Sequence, residues 1–288
     1  MIGKLLTAAP VITDGAWGTE LQARGLVAGE PAELWNLSHP GQVEAVARAY
    51  VEAGSQIILT NTFRANRIAL EPYAEWQQVA DINRAGVEIS RRSAAGRALV
   101  FASIGPSGKL LAAAEIDPRR LEIAFTEQAR ALADAGADGL VLETMADLVE
   151  AKIAVAAALT TGLPVVACMT FDSGRNRDRT MMGISPQQAA TELSAAGAHV
   201  IGANCGIGIE TAVAICAMLS TATDRPIWIK PNAGLPEVVN GEIVYHMQPE
   251  DFAGFLPRLA AARAGFVGGC CGTTPQFIAA LRRRRAEL

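Results

Sequence analysis

The sequence predicts a single (β/α)8 barrel, the TIM-barrel architecture, with residues 1–288 forming one domain. Short apolar, β-branched runs alternate about eight times with amphipathic, alanine-rich stretches along the chain. Several of these stretches end in Ala-Gly, as at Ala53-Gly54 and Ala135-Gly136, which is a common way for a helix to stop before the next strand. No Pro/Gly/Ser-rich linker interrupts the alternation, so one barrel fits the chain better than two small domains.

The strands are predicted from continuous apolar runs, because parallel strands covered on both faces are apolar throughout. A doubly wound open sheet would share this alternation. However, the residues after the first run, Asp14 to Thr19, do not form a dinucleotide-binding fingerprint. The predicted strands cover residues 11–13, 57–60, 99–102, 139–142, 165–169, 200–203, 227–229 and 266–267.

The helices are predicted from amphipathic stretches between these strands. Asp117-Pro118 and Ser185-Pro186 each place a capping side chain before a proline that suits the first helical turn. The arginine run 282–285 is interpreted as the solvated end of a last helix. The other predicted helices cover residues 43–53, 76–94, 121–135, 148–159, 186–196, 211–220 and 251–262.

Composition excludes several classes of protein. The chain is 50% hydrophobic and 19% charged with a formal charge of -4, and it has no basic, aromatic-rich stretch of the kind that binds nucleic acid. No apolar segment approaches the ~20 residues needed to cross a membrane. Five cysteines, an odd number, argue against a disulfide framework. Thiols that serve a metal need a reducing compartment, so the expected location is cytoplasmic.

Polar and sulfur-bearing residues directly follow most of the predicted strands. In a (β/α)8 barrel these positions converge on one rim, where barrel enzymes place their catalytic residues. Two acids, three thiols and several amides and hydroxyls on one rim indicate a functional site more than ordinary loop composition. The candidates are Asp14, Thr60, Glu143, Cys205, Asn232, Cys270 and Cys271.

Three of the five cysteines stand at strand ends beside glycines, which allow a backbone tight enough for adjacent side chains to face one ion. Cys205, Cys270 and Cys271 can together hold a zinc ion and leave its fourth position for water or substrate, as in catalytic zinc sites. Two alternatives stay open: cysteines buried as small hydrophobic residues, and a disulfide between the two adjacent cysteines. Cys168 and Cys216 lack this setting and are assigned to the core.

The carboxylates Asp14 and Glu143 end strands that should lie near one another on the rim. Two acids can perform acid–base chemistry or hold an ammonium group. Because metal coordination itself lowers the pKa of a thiol, a strong external base is not required, and we favour recognition of an amine. For Asp14 the alternative is a loop cap before Gly15.

Five short motifs are spread along the chain: Asn204-Cys205-Gly206 and the segments 13–21 (TDGAWGTEL), 60–63 (TNTF), 230–236 (KPNAGLP) and 268–275 (GGCCGTTP). Together these motifs resemble the homocysteine S-methyltransferase family over nearly the whole chain. Within the family, the sequence is most similar to the homocysteine-binding module of cobalamin-dependent methionine synthase.

The resemblance implies a (β/α)8 barrel whose zinc ligands, which carry the catalysis, are Cys205, Cys270 and Cys271. It assigns the carboxylates that hold the homocysteine amine to Asp14 and Glu143. The family's contacts with the substrate carboxylate would fall near Gly15 and Thr60, and Asn232 is a further candidate for substrate binding.

The function expected from this resemblance is zinc-dependent transfer of a methyl group to homocysteine, which forms methionine. A methyl-corrinoid donor would arrive on a separate protein, because the sequence shows no folate or cobalamin module. A sulfonium donor such as S-methylmethionine, or betaine, is an alternative donor, although Arg64 beside Phe63 would repel the cation of betaine. A zinc- or thiol-binding subunit without turnover is the alternative outside the enzyme class.

Overall fold

The computed structural model describes residues 1–239 and 242–288, with Glu242 described by its backbone alone. The barrel has eight strands: β1 (Val11–Ile12), β2 (Ile57–Ile58), β3 (Leu99–Ile104), β4 (Gly139–Met145), β5 (Val165–Met169), β6 (Val200–Cys205), β7 (Ile227–Pro231) and β10 (Ala264–Val267). These strands are parallel and form one sheet in the order β1-β10-β7-β6-β5-β4-β3-β2, which confirms the predicted (β/α)8 architecture.

The sheet closes into a barrel between its two end strands, β1 and β2. The backbone N–H of Gln56 donates to the carbonyl of Ile12 at 2.8 Å, and the N–H of Ile12 donates to the side-chain oxygen of Gln56 at 3.1 Å. Higher up the seam, the N–H of Leu59 donates to a carboxylate oxygen of Asp14 at 2.7 Å. The side chain of Asp14, at the upper rim, therefore also helps to close the barrel.

Helices cover the outside of the barrel, and none of those described combines the length and apolar character needed to cross a bilayer. Asp117 and Ser185 cap their helices as predicted, accepting from the backbone N–H groups of Arg119 and Gln188. The helices are α1 (Ile2–Leu6), α2 (Gly18–Gln22), α3 (Trp35–Ser38), α4 (Pro40–Glu52), α5 (Arg67–Leu70), α6 (Val79–Ala94), α7 (Pro118–Asp134), α8 (Leu148–Leu159), α9 (Pro186–Ala195), α10 (Ile209–Thr221), α11 (Pro249–Ala253), α12 (Leu256–Ala261) and α13 (Pro275–Arg285).

The short helices α1, α2, α3 and α5 were not predicted, and two further differences between structure and prediction lie after β7. The helix expected over 251–262 is broken into α11 and α12, because Pro257 has no N–H to continue the hydrogen-bond ladder and suits only the first turn of α12. The connection after β7 carries an antiparallel hairpin of β8 (Glu237–Val239) and β9 (Glu242–Val244) that the sequence analysis did not predict.

The barrel interior changes from apolar to polar along the strand direction. Near the middle, the Trp228 ring lies 6.1 Å from Phe101 and 5.1 Å from Phe266, centroid to centroid. Because strand side chains alternate between faces, the residue two positions further on also points inward. At that next level the inward positions hold Ser103 and Lys230. An apolar floor therefore supports a buried polar layer beneath the rim.

Candidate active site

The three predicted thiols come together at the upper rim of the barrel. The sulfurs of Cys205, Cys270 and Cys271 all lie within 4.8 Å of one another, and the Cys205 and Cys270 sulfurs are 3.1 Å apart. All five cysteines are free, so Cys270 and Cys271 form no disulfide in this structure. Cys168 and Cys216 are buried elsewhere, in β5 and α10, as their sequence setting indicated.

Glycines let the Cys270-Cys271 loop lie directly against the end of β1. A Cβ on Gly268 would fall 2.0 Å from the Thr13 hydroxyl oxygen, so any side chain there would push the loop away. The loop is held on both sides: the Gly269 N–H donates to the Asp14 carbonyl at 3.0 Å, and the Cys270 N–H donates to the Pro231 carbonyl at 2.8 Å. The two adjacent thiols are thereby fixed between β1 and β7.

Cys205 is oriented by a pair of neighbouring residues that the sequence analysis did not assign. Asn204 accepts from the Thr144 N–H at 2.6 Å and donates to the Thr144 hydroxyl at 2.7 Å. Thr144 and Cys205 both have left-handed backbones, with φ of 60° and 58°, a conformation that costs free energy in residues other than glycine. The Asn204–Thr144 pair therefore joins the ends of β4 and β6 and holds two strained residues in place.

The geometry and chemistry of the three thiols fit a metal ion. Zinc binds cysteine sulfur at ~2.3 Å, which puts two sulfurs of a tetrahedral site roughly 3.8 Å apart. Three sulfurs within 4.8 Å of one another can share such an ion after small side-chain shifts. Hydrogen bonds from Cys205 and Cys270 lower the pKa of Cys271 to about 3, so the group carries a negative charge that a cation would balance.

A cavity of about 320 Å³ opens directly above the thiols. It brings together six of the predicted site residues and several that were not predicted. The predicted residues that line it, beyond Cys205, Cys270 and Cys271, are Gly15, Thr60 and Glu143. The lining residues that were not predicted include Trp17, Glu33, Phe63, Arg64, Ser103 and Lys230.

Asp14 is fully buried, and its carboxylate is already bound by protein groups. One oxygen pairs with the ammonium of Lys230, and the other accepts from the indole N–H of Trp17 at 2.8 Å and from the N–H of Leu59 at 2.7 Å. The side chain of Lys230 is 2% exposed. Burial lowers the pKa of Lys230, but the charges of Asp14 and Glu143 outweigh this and leave its pKa raised, so the ammonium stays charged.

Glu143 lies on the cavity wall with its carboxylate facing a mixed set of charges. Its Oε1 accepts a short hydrogen bond from the Ser103 hydroxyl. Burial raises the pKa of Glu143 to about 7, while the Lys230 ammonium acts in the opposite direction. Of the two predicted acids, Glu143 is therefore the one that a ligand in the cavity can reach.

The remaining predicted residues have distinct surroundings. The hydroxyl of Thr60 lies 2.5 Å from that of Thr62 and accepts from the Ser103 N–H at 3.1 Å. The amide of Asn232 donates to the Gly206 carbonyl at 2.8 Å, and its Oδ1 is buried without a partner in the described part of the chain. Both are held in place by neighbouring groups, and Asn232 lies beside the cysteine loops instead of on the cavity wall.

The outer part of the cavity contains a buried acid next to Arg64. Glu33 is 3% exposed and accepts from the Arg64 N–H at 2.7 Å. Its other oxygen, Oε2, has no hydrogen-bond partner among residues 1–239 and 242–288. Burial raises the pKa of Glu33, whereas the Arg64 charge lowers it. The repulsion of a cation by Arg64, which the sequence suggested, is thus opposed by an acid in the same cavity.

Comparison with known proteins identifies the family. The sequence profile of the homocysteine S-methyltransferase family matches residues 11–285. The chain belongs to the homocysteine S-methyltransferase family. It is 31% identical over 293 residues to the methionine synthase of Mycobacterium tuberculosis, covering 95% of this chain and 24% of that protein. A methionine synthase of Mycobacterium leprae gives the same identity over 287 residues. The chain thus spans about a quarter of the length of these relatives.

Solved structures agree with this assignment. The homocysteine methyltransferase MmuM from Escherichia coli, in its metallated form, superposes with a TM-score of 0.77 at 27% identity, covering 95% of this chain and 96% of that one. The carboxyl transferase domain of Rhizobium etli pyruvate carboxylase shares the barrel alone, with a TM-score of 0.56 at 12% identity, covering 99% of this chain and 49% of that one. The methyltransferase barrel is therefore the relevant one for the chemistry of this site.

Proposed function

We propose that this chain is a zinc-dependent enzyme that methylates the sulfur of homocysteine and forms methionine, with residues 1–288 acting as one substrate-binding unit. The observation that carries the proposal is the meeting of three free thiols within 4.8 Å of one another beneath a cavity that Glu143 also lines. Membership of the family and the likeness to E. coli MmuM support methyl transfer to homocysteine.

Cys205, Cys270 and Cys271 would hold the metal, and we propose that it is zinc. Three thiolates are a ligand set that zinc accepts, and the existence of a metallated form of the similar E. coli enzyme supports the proposal that this chain binds a metal. Bound zinc would supply thiol activation, because coordination lowers the pKa of a thiol and the thiolate is the nucleophile. The need to keep three thiols reduced supports a reducing compartment such as the cytoplasm.

The chain's own residues would bind and orient the amino-acid part of the substrate. Glu143 is the cavity carboxylate that can pair with the α-ammonium group. Asp14 supports this wall from behind, through Lys230 and Trp17. Gly15 and Thr60 line the same cavity and would lie along the substrate backbone, whereas Asn232 would contribute from beside the cysteine loops. These roles fix the ligand so that its sulfur faces the three cysteines.

For the methyl donor, we propose a methyl-corrinoid presented by a separate protein. The proposal rests on the motif resemblance to the homocysteine-binding module of cobalamin-dependent methionine synthase and on the match to two methionine synthases. The donor would have to reach the cavity from its open side, opposite the polar layer of the barrel.

A sulfonium donor is the second candidate, and one observation favours it. Glu33 lines the outer cavity with an oxygen that no described residue partners, and the aromatic rings of Trp17 and Phe63 line the same cavity. An acid and aromatic faces together suit a small cation.

The test is a donor panel on the zinc-loaded chain with homocysteine as acceptor. Methionine would be measured with free methylcobalamin, S-methylmethionine, S-adenosylmethionine and betaine, alongside a chelator-treated sample as the control. Turnover with methylcobalamin and no other donor supports the corrinoid proposal. Turnover only with S-methylmethionine or S-adenosylmethionine would contradict it and support a sulfonium donor. A zinc-loaded chain that neither binds homocysteine nor methylates it would contradict the proposed function.

A further inference from the structure

Family membership and the thiol chemistry leave the buried charge of Lys230 without a role. It stands on β7 two residues beyond Trp228, so its side chain enters the polar layer above the apolar floor. It also lines the cavity that Glu143 and the three cysteines line. The Lys230 ammonium and the Glu143 carboxylate therefore line the same cavity, and the three thiols lie beneath it.

Pairing with Asp14 does not by itself account for this lysine. An ammonium group has three hydrogen-bond donors, and Asp14 is the one acceptor that the described residues offer it. Burying an ion pair costs desolvation free energy that an apolar pair of similar volume would avoid. Donors left unfilled in a buried wall add to this cost unless a ligand supplies acceptors.

Homocysteine, the proposed ligand, carries the hydrogen-bond acceptors that Lys230 lacks. An α-amino acid carries an ammonium and a carboxylate on the same carbon, and Glu143 can bind only the first. Gly15 and Thr60, the residues expected near the carboxylate, are uncharged. Lys230 lines the same cavity and is held by Asp14, whose other oxygen is fixed by Trp17 and Leu59.

We propose that Lys230 binds the α-carboxylate of the amino-acid thiol and makes the site selective for a zwitterion. Asp14 is then a positioning residue that acts through Lys230, and Glu143 alone receives the ammonium. The inference rests on the proposed function, since it presumes that homocysteine is the ligand.

The test measures binding and needs no methyl donor. Zinc-loaded protein is titrated calorimetrically with homocysteine, with 3-aminopropane-1-thiol, which lacks only the carboxylate, and with 4-sulfanylbutanoate, which lacks only the ammonium. The wild-type chain should prefer homocysteine over 3-aminopropane-1-thiol by roughly 10- to 100-fold, the range expected for a hydrogen bond to a charged group. Lys230→Met should reduce this preference to less than about threefold, because it removes the charged partner of the carboxylate.

Glu143→Gln is the matched control. It should reduce the preference over 4-sulfanylbutanoate and leave the preference over 3-aminopropane-1-thiol intact. If Lys230→Met does not fold, because Asp14 is left buried and unpaired, the double variant Asp14→Asn/Lys230→Met removes both charges and answers the same question.

The outcomes separate the two proposals. An unchanged preference for the carboxylate in the lysine variants overturns the role of Lys230 and makes it a counter-ion of Asp14 only. Failure of the zinc-loaded wild-type chain to bind homocysteine overturns the proposed function itself. A carboxylate preference that is lost only when Lys230 is replaced supports both.

Discussion

The two sides of the cavity are built in different ways. On the thiol side, Cys205 and the loop of Cys270 and Cys271 depend on unusual backbone: a left-handed cysteine at the end of β6 and a glycine at 268 that no side chain could replace. On the charged side, Lys230 projects from β7 and Glu143 from the end of β4, and their properties come from burial and from one another.

The two sides should therefore respond differently to substitution. The thiol side offers ligands at fixed positions, so losing one sulfur removes the site. The charged side is a balance between buried groups, so changing one charge alters the stability of the barrel and the affinity for ligand together.

Removing one thiol should abolish metal binding and catalysis together. Cys270→Ala leaves two sulfur ligands, and we expect bound zinc to fall from about one per chain to near zero. Methyl transfer should fall by at least about 1,000-fold, since activation of the acceptor thiol is lost. Metal analysis and a methionine assay measure the two effects.

Cys216→Ala is the matched control for this variant, because it removes a buried thiol in α10 that lies outside the site. It should retain zinc. A Cys270→Ala chain that still binds a full equivalent of zinc would show that the metal is held elsewhere.

Breaking the buried ion pair should chiefly affect folding. Asp14→Asn leaves the Lys230 ammonium buried without its counter-charge, and we expect a loss of about 3–5 kcal/mol in the free energy of unfolding. Chemical denaturation would measure it. The double variant Asp14→Asn/Lys230→Met should recover most of the lost stability. An Asp14→Asn variant as stable as wild type would mean that the ion pair contributes little to the fold.

The thiol side and the barrel could be predicted from the sequence because their signals are local. Cysteines beside glycines at strand ends, and Ala-Gly at helix ends, are visible within a few residues. Lys230 was present in a recognised motif, but its role depends on which face of β7 points inward and on Asp14, which lies 216 residues away in sequence. Such pairing is defined only when the barrel closes.

Two other differences have separate causes. Pro257 inside the stretch 251–262 was a visible signal for the break between α11 and α12, and the amphipathic pattern concealed it. Glu33, whose Oε2 has no partner among the described residues, lies in the turn before α3. Its other oxygen accepts from the N–H of Arg64 and so joins this turn to the loop after β2. No local pattern around Glu33 indicates that contact.

The Asn204–Thr144 pair should set metal affinity without itself binding metal. Asn204→Ala removes the two hydrogen bonds to Thr144, at 2.6 and 2.7 Å, and frees the strained ends of β4 and β6. We expect zinc affinity to fall by about 10- to 100-fold, the usual effect of removing groups that orient metal ligands. Competition with a chromophoric chelator would measure it. Asn66→Ala, which removes only the cap of α5, should cost about 1 kcal/mol of stability and leave zinc affinity unchanged.

The smallest effect should be a pH dependence of homocysteine affinity on the acidic side of neutrality. The groups whose charges act on Glu143 are Lys230 on β7, Asp14 after β1 and Cys270 after β10, and burial raises the pKa of Glu143 to about 7. A raised pKa means that the carboxyl is mostly protonated at pH 6 and mostly ionised at pH 8, so attraction for the substrate ammonium grows as pH rises through this window. For a pKa of about 7 the ionised fraction changes from about one tenth to about nine tenths, which limits the gain in affinity to about tenfold.

The Glu143→Gln side chain cannot ionise, so this variant is the control. Dividing the wild-type affinity by that of the variant at each pH removes the contribution of the substrate thiol. A ratio that stays flat between pH 6 and 8 would show that Glu143 does not titrate in this range or does not face the ammonium. A rising ratio would place the ammonium on the charged side of the cavity, where the buried lysine leaves Glu143 as its partner.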